Sequence, residues 1–177
     1  TTQIPDARWN ASYQGRSGVI TNAVGLLQHV YSRLIPIDPN RKYRIRLGFH
    51  TNGVVTATIP SLYVGFTCWE NETTSVGASG GHVYVSGWSA PSAGTSGWFD
   101  VSSNVISGSA ATSAGKTFIT GTNFVRVLAF LNYNNHNPTQ IYGLDYLFIE
   151  DVTESEAAAA QAGIATAQAG IATTQAT

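Results

Sequence analysis

Charge is scarce in this sequence. Only 11% of its 177 residues are Asp, Glu, Lys or Arg, less than half the usual share in a soluble domain. The net charge is -1, and the densest basic run, Arg41-Lys42-Tyr43-Arg44-Ile45-Arg46, is short. No nucleic-acid partner is therefore expected. Cysteine is nearly absent as well. A lone Cys68 excludes an intrachain disulfide, and its expected state is a small buried thiol. No apolar run reaches the roughly 18 residues of a spanning helix, so membrane insertion by a helix is not expected. Methionine is missing and the chain starts at Thr1, so it reads as a piece of a longer polypeptide. No signal peptide is visible.

Catalytic patterns are missing too. The acids before the C-terminal segment are Asp6, Asp38, Glu70, Glu72, Asp100, Asp145, Glu150 and Asp151. No two of them stand out as the facing carboxylates that glycoside hydrolysis requires. His29, His50, His82 and His136 are dispersed and show no zinc spacing. Neither a phosphate loop nor a nucleophile elbow occurs. The expectation is a non-enzyme with no cofactor and no metal. Asn10-Ala11-Ser12 and Asn71-Glu72-Thr73 match the glycosylation sequon, a pattern that chance often produces.

What is present is apolar and strand-forming. Hydrophobic residues make up 43%, enough to pack one core at this length. Residues 1–152 are aromatic, β-branched and punctuated by Gly. From Lys42 to His50, Tyr43, Ile45, Leu47 and Phe49 alternate with Arg44, Arg46 and His50, the signature of a half-buried strand. From Leu62 to Trp69, Leu62, Val64, Phe66 and Cys68 alternate with Tyr63, Gly65, Thr67 and Trp69. From His82 to Trp88, Tyr84 and Trp88 share a parity. Further strands are expected at Val19–Thr21, Leu26–Tyr31, Arg33–Ile37, Val54–Ile59, Trp98–Val101, Phe124–Tyr133 and Gln140–Val152. Asp38-Pro39-Asn40 and Thr51-Asn52-Gly53 read as turns. Residues 70–81, 89–97, 102–116 and 132–138 read as loops. Many short strands without a helix predict an all-β fold, a jelly-roll β-sandwich, with a closed barrel as the alternative.

Residues 153–177 differ in kind. Ala160-Gln161-Ala162-Gly163-Ile164-Ala165-Thr166 is followed by the identical heptad Ala167-Gln168-Ala169-Gly170-Ile171-Ala172-Thr173. A strict seven-residue repeat keeps one stripe of a helix facing a partner and imposes a left-handed supercoil. The stripe is Ala157, Ala160, Ile164, Ala167 and Ile171. Its expected role is oligomerisation as a parallel coiled coil. A flexible Ala/Gly/Thr linker is the alternative. Each Gly costs about 1 kcal/mol in a helix, so the segment needs partners. Thr153 is read as the N-cap, with Glu156 three residues on completing a capping box.

The stretch Ile35-Pro36-Ile37-Asp38-Pro39-Asn40-Arg41-Lys42-Tyr43-Arg44 and the closing Gly143-Leu144-Asp145-Tyr146-Leu147-Phe148-Ile149-Glu150-Asp151-Val152 resemble carbohydrate-binding-module-like jelly rolls of tailed-phage tail proteins. The Ala-Gln-Ala-Gly-Ile-Ala-Thr repeats resemble helices in tail-tip and tail-fibre proteins of phages and gene transfer agents. The resemblance implies a trimeric appendage on the virion tail, outside the cell. Its implied partners are other copies of itself, other tail proteins and a host-surface polysaccharide. Such modules often carry a structural calcium at the last strand. Here Asp145 is followed by Tyr146 instead of a second Asp, so a structural calcium is possible by resemblance but unsupported by these residues.

Sugar binding needs flat aromatic faces with polar groups beside them. The candidates are Tyr63, Trp69, Tyr84, Trp88, Arg44, Arg46 and His50, which form one aromatic and basic face if their strands put them on the same side. Asn132, Asn134 and His136 form a second candidate loop. The plainer reading assigns these residues to core, turn or subunit interface. Two other functions stay open: a purely structural virion tail module, and the carbohydrate-binding module of a bacterial adhesin or secreted glycanase.

Overall fold

The computed structural model describes residues 2–4, 12–13, 16–17, 19–20, 28–51, 62–77, 82–88, 97–112, 116–131 and 142–175. The expected strand at Val54–Ile59 and the Asn132–Pro138 loop lie outside these residues. The strands are β1 (Thr2–Ile4), β2 (Ser12–Tyr13), β3 (Arg16–Ser17), β4 (Val19–Ile20), β5 (Gln28–Ser32), β6 (Ile35–Pro36), β7 (Lys42–Thr51), β8 (Leu62–Trp69), β9 (His82–Trp88), β10 (Gly97–Ser102), β11 (Ile106–Ser107), β12 (Ser109–Ala110), β13 (Phe118–Ile119), β14 (Phe124–Leu131) and β15 (Tyr142–Asp151). One helix, α1 (Thr153–Gln175), follows.

Two larger sheets dominate. The first runs β1-β5-β14-β8-β9, with β6 added to β14. The second runs β10-β7-β15-β4, with β11 added to β7. The long neighbours β7 and β15, and β8 and β14, are antiparallel. Both sheets contribute to one core. Tyr43, Ile45, Leu47 and Phe49 of β7 meet Leu62, Val64, Phe66 and Cys68 of β8 there, with Val125, Val127 and Ala129 of β14 and Leu144 and Leu147 of β15. The faces of β7 and β8 are the period-two faces expected from the sequence. Burying a side chain such as Phe66 or Leu147 contributes about 1.5–3 kcal/mol. Phe118 joins the layers, its ring centroid 5.7 Å from Tyr43 and 5.3 Å from Phe66.

Two glycines make room. A Cβ on Gly65 would sit 2.0 Å from the carbonyl oxygen of Val83, beside the point where β9 slips by one residue against β8. A Cβ on Gly48 would fall 2.6 Å from the ring of Tyr146, whose strand is itself irregular between Leu144 and Tyr146.

Three expectations need correction. Residues 102–116 are not all loop: Ile106 pairs with Tyr43 and is fully buried, and Ser109–Ala110 pairs with Phe118–Ile119. Of Arg33–Ile37 only Ile35–Pro36 is strand, because the Ser32 hydroxyl accepts the Val127 N–H at 2.9 Å and interrupts the ladder. The capping box does not form. Glu156 N–H donates to the Val152 carbonyl at 2.9 Å, so the helix begins one residue earlier than a Thr153 cap would place it. Asp151 does the capping: its Oδ1 accepts the Thr153 N–H at 2.9 Å and the Thr153 hydroxyl at 2.7 Å. The Glu156 carboxylate turns instead to Arg44. The Asp38 turn forms as expected, with Asn40 N–H donating to Asp38 Oδ1 at 2.9 Å.

Candidate functional site

The outer face of the β7–β15 sheet is where the arginines lie. Odd-numbered residues of β7 enter the core, so Arg44 and Arg46 point away from it. Arg44 donates to Glu156 Oε1 at 2.9 Å and to the Ser103 carbonyl at 3.1 Å. Arg46 Nε donates to Glu150 Oε1 at 2.5 Å, which raises the Arg46 pKa. Arg41 pairs with Asp151. The hydroxyl and N–H of Thr153, and then Arg41, hold the Asp151 carboxyl down to about 2. Exposed pairs of this kind contribute little to stability, because water and salt screen them. Farther along this face the Tyr146 hydroxyl donates to Asp100 Oδ1 at 2.9 Å, and burial pushes the Tyr146 pKa up. The three arginines here are thus each matched by a carboxylate within the chain.

The outer face of the β8–β14 sheet has a different character. Tyr84 of β9 is 46% exposed. Its ring centroid lies 6.3 Å from Tyr63, 5.4 Å from Phe130 and 6.4 Å from His82. Phe130 and Leu128 are buried on this side, away from the main core. At the far end of β8, Trp69 Nε1 donates to Thr67 Oγ1 at 2.8 Å. The guanidinium carbon of Arg126 sits 4.8 Å from the Trp69 ring centroid. Tyr63 and Trp69 are six residues apart on one strand, about 20 Å at strand rise.

The single aromatic and basic face expected from the sequence does not form. Tyr63, Trp69 and Tyr84 belong to one sheet and Arg44 and Arg46 to the other, and the two outer faces look away from their shared core. His50 is in register with Trp98 and Gly143 of the second sheet. The shared parity of Tyr84 and Trp88 is also broken. The one-residue slip in β9 lies between them, pairing Tyr84 with Gly65 and Trp88 with Leu62. Asn132, Asn134 and His136 fall outside the described residues. Ala157, Ala160, Ile164 and Ala167 are exposed along α1, Ile164 at 58%. Ile171 lies in the same helix.

Sequence reasoning missed Arg126, Phe130 and His82 on the aromatic face. Phe124–Leu131 is apolar at nearly every position, so its outward side has no polar stripe to mark it. The lone Arg126 was the available signal. Cys68 is fully buried, and desolvation raises its pKa, as a core thiol should behave. Asn71, first residue of one sequon, spends its side-chain oxygen on the N–H groups of Thr73 and Thr74 and on the Thr73 hydroxyl. Among the described residues no group of three or more His, Cys, Asp or Glu is placed to hold a metal. No described helix is long and apolar enough to cross a membrane.

No protein-family model matches the chain, and comparison with curated proteins finds no match. The chain presents one outer face with its arginines paired off, one outer face of aromatic rings, and an exposed heptad helix.

Proposed function

We propose that the chain is a non-catalytic jelly-roll module of a tailed-phage or gene-transfer-agent tail tip or tail fibre, binding polysaccharide on the host surface. The observation that carries this reading is the half-exposed Tyr84 ring on the outer side of the β8–β14 sheet, backed by the buried Phe130 and flanked by the half-buried Tyr63 and His82. Aromatic rings supported from behind present flat apolar faces to the C–H faces of sugars. The heptad helix supports multiple display. Ile164 repeats as Ile171 seven residues on and is open to solvent in one chain. A parallel coiled coil, trimeric in this reading, covers that stripe and turns weak single-site binding into avidity. Neighbouring tail proteins complete the assembly on the virion tail.

The test is a glycan array, with capsule or lipopolysaccharide pull-down, using the whole chain and a Tyr63→Ala/Tyr84→Ala variant. The expected result is binding to a defined glycan set that falls at least tenfold in the variant. Light scattering is expected to give three times the chain mass.

A second reading, a purely structural tail module, draws support from the β7–β15 face. Its three arginines are all engaged with carboxylates, Arg46 and Arg41 with Glu150 and Asp151 of β15 and Arg44 with Glu156 of the helix, as bracing requires. Absence of glycan binding by the intact oligomer selects that reading.

A further inference from the structure

Arg41, Arg44 and Arg46 each face a carboxylate. Arg126 does not. It stands in β14 on the outer face of the aromatic sheet, half-buried, and its Nε is buried without a hydrogen-bond partner. Its defined contact is with the Trp69 ring, at 4.8 Å. Glu70, next along the chain from Trp69, makes no ion pair with it. Instead, the backbone of Glu70 closes the neighbouring turn, taking the Asn123 amide on its carbonyl at 3.0 Å.

A guanidinium drawn partly out of water is costly unless an anion or acceptor replaces the lost solvent. A cation–π contact returns only part of that. What the contact does provide is position. Trp69 is itself fixed, its Nε1 donating to the buried Thr67 hydroxyl. In the ladder Arg126 pairs with Thr67, and Thr67 pairs with His82. Tyr84 follows two residues after His82, toward Tyr63 and Phe130. A positioned guanidinium fork, an adjoining hydroxyl and a row of rings therefore share one side of the sheet, and among the described residues their ladder partners include no acid. Guanidinium forks match carboxylate and sulfate groups in a bidentate fashion.

We infer that this face takes an acidic saccharide, with Arg126 receiving its carboxylate or sulfate and Tyr84 and Tyr63 receiving sugar faces. The inference rests on the glycan reading above and narrows its ligand class. The chain's net charge of -1 provides no general attraction for polyanions, so acid-selective binding must come from a local site.

Four probes decide it: polygalacturonate, its fully methyl-esterified form, dextran sulfate and dextran. The intact oligomer is expected to bind at least one acidic polymer at least tenfold more tightly than its neutral counterpart. The first pair reads carboxylate and the second reads sulfate. Arg126→Met, which keeps apolar contact with Trp69, is expected to abolish that preference. Arg126→Lys, retaining charge without the fork, is expected to lose several-fold. Lys116→Met, which removes an exposed charge elsewhere, is expected to change nothing. Equal binding of acidic and neutral polymers by the wild type overturns the inference, and so does a preference that survives in a folded Arg126→Met. If the glycan array still shows binding, the glycan reading stands without this inference. If neither array nor polymers bind, both fall. The wild-type comparison is independent of how any variant folds.

Discussion

Phe66 and Ile164 are both large apolar side chains, yet Phe66 is shut from solvent and Ile164 is 58% exposed. The two-sheet body closes its apolar surface within one chain, because β7, β8 and β14 turn their period-two faces, and β15 its Leu144 and Leu147, into one core. The helix has nothing comparable. Beyond its first turn, held by Asp151 and Arg44, Ala157, Ala160, Ile164 and Ala167 stay open. The two regions differ in where their stability comes from: the body from contacts in hand, the helix, in the proposed assembly, from contacts with other chains.

Four measurements press on that difference. Phe66→Ala is expected to lower body stability by about 3–5 kcal/mol, the cost of a large core truncation, read by denaturant unfolding. A loss under about 1 kcal/mol would show a core less closed than described. Next, Gly65→Ala drives a methyl group into the Val83 carbonyl, and overpacking of this kind costs about 1–3 kcal/mol. It is expected to leave helix content unchanged while lowering the body transition.

The third concerns the junction. The Asp151 carboxyl lies near 2 against an ordinary 3.8. A depressed carboxylate stabilises above its unfolded pKa, and that contribution is lost as pH falls through the folded value. Between pH 4 and pH 2 the first helical turn is therefore expected to loosen before the body unfolds. Circular dichroism followed against tryptophan fluorescence checks this, and Asp151→Asn is expected to remove the pH dependence. The smallest effect on the body comes last. Ile164→Asp is expected to shift body stability by less than about 0.5 kcal/mol, as surface changes do, while light scattering is expected to show the proposed oligomer dissociating. A body that unfolds with the helix would erase the distinction between the two.

Much of the body was legible in the sequence because alternation survives burial on one side. Leu62–Trp69 and His82–Trp88 are strands with the bounds the pattern predicts. Legibility failed where a single residue breaks phase. The slip in β9 separates Tyr84 from Trp88, and no local signal announces it, since the extra residue is accommodated by Gly65 on the neighbouring strand. It failed again where partners are distant. Thr153 has the spacing of a capping box with Glu156, but Arg44, 112 residues away, takes that carboxylate. Sheet membership was the largest hidden quantity. Tyr63 and Arg44 each read correctly as outward-facing, yet they face opposite ways, because strand order is set by pairing across the whole chain.

The knot at Asp151 has a mechanical consequence. β15 runs into α1 through Val152, and Asp151 there binds Arg41 and Thr153 while the Thr153 hydroxyl accepts the Lys42 N–H at 2.8 Å. A pull on the helix is not delivered to a peripheral strand. It enters β15, which lies between β4 and β7 and is laddered to β7 from Tyr142 to Asp151. The load spreads over many hydrogen bonds at once, and the Arg44–Glu156 pair clamps the helix base across the same seam. The body is thus attached to its helix as a hook is to its shank, by the part of the sheet least easily peeled away.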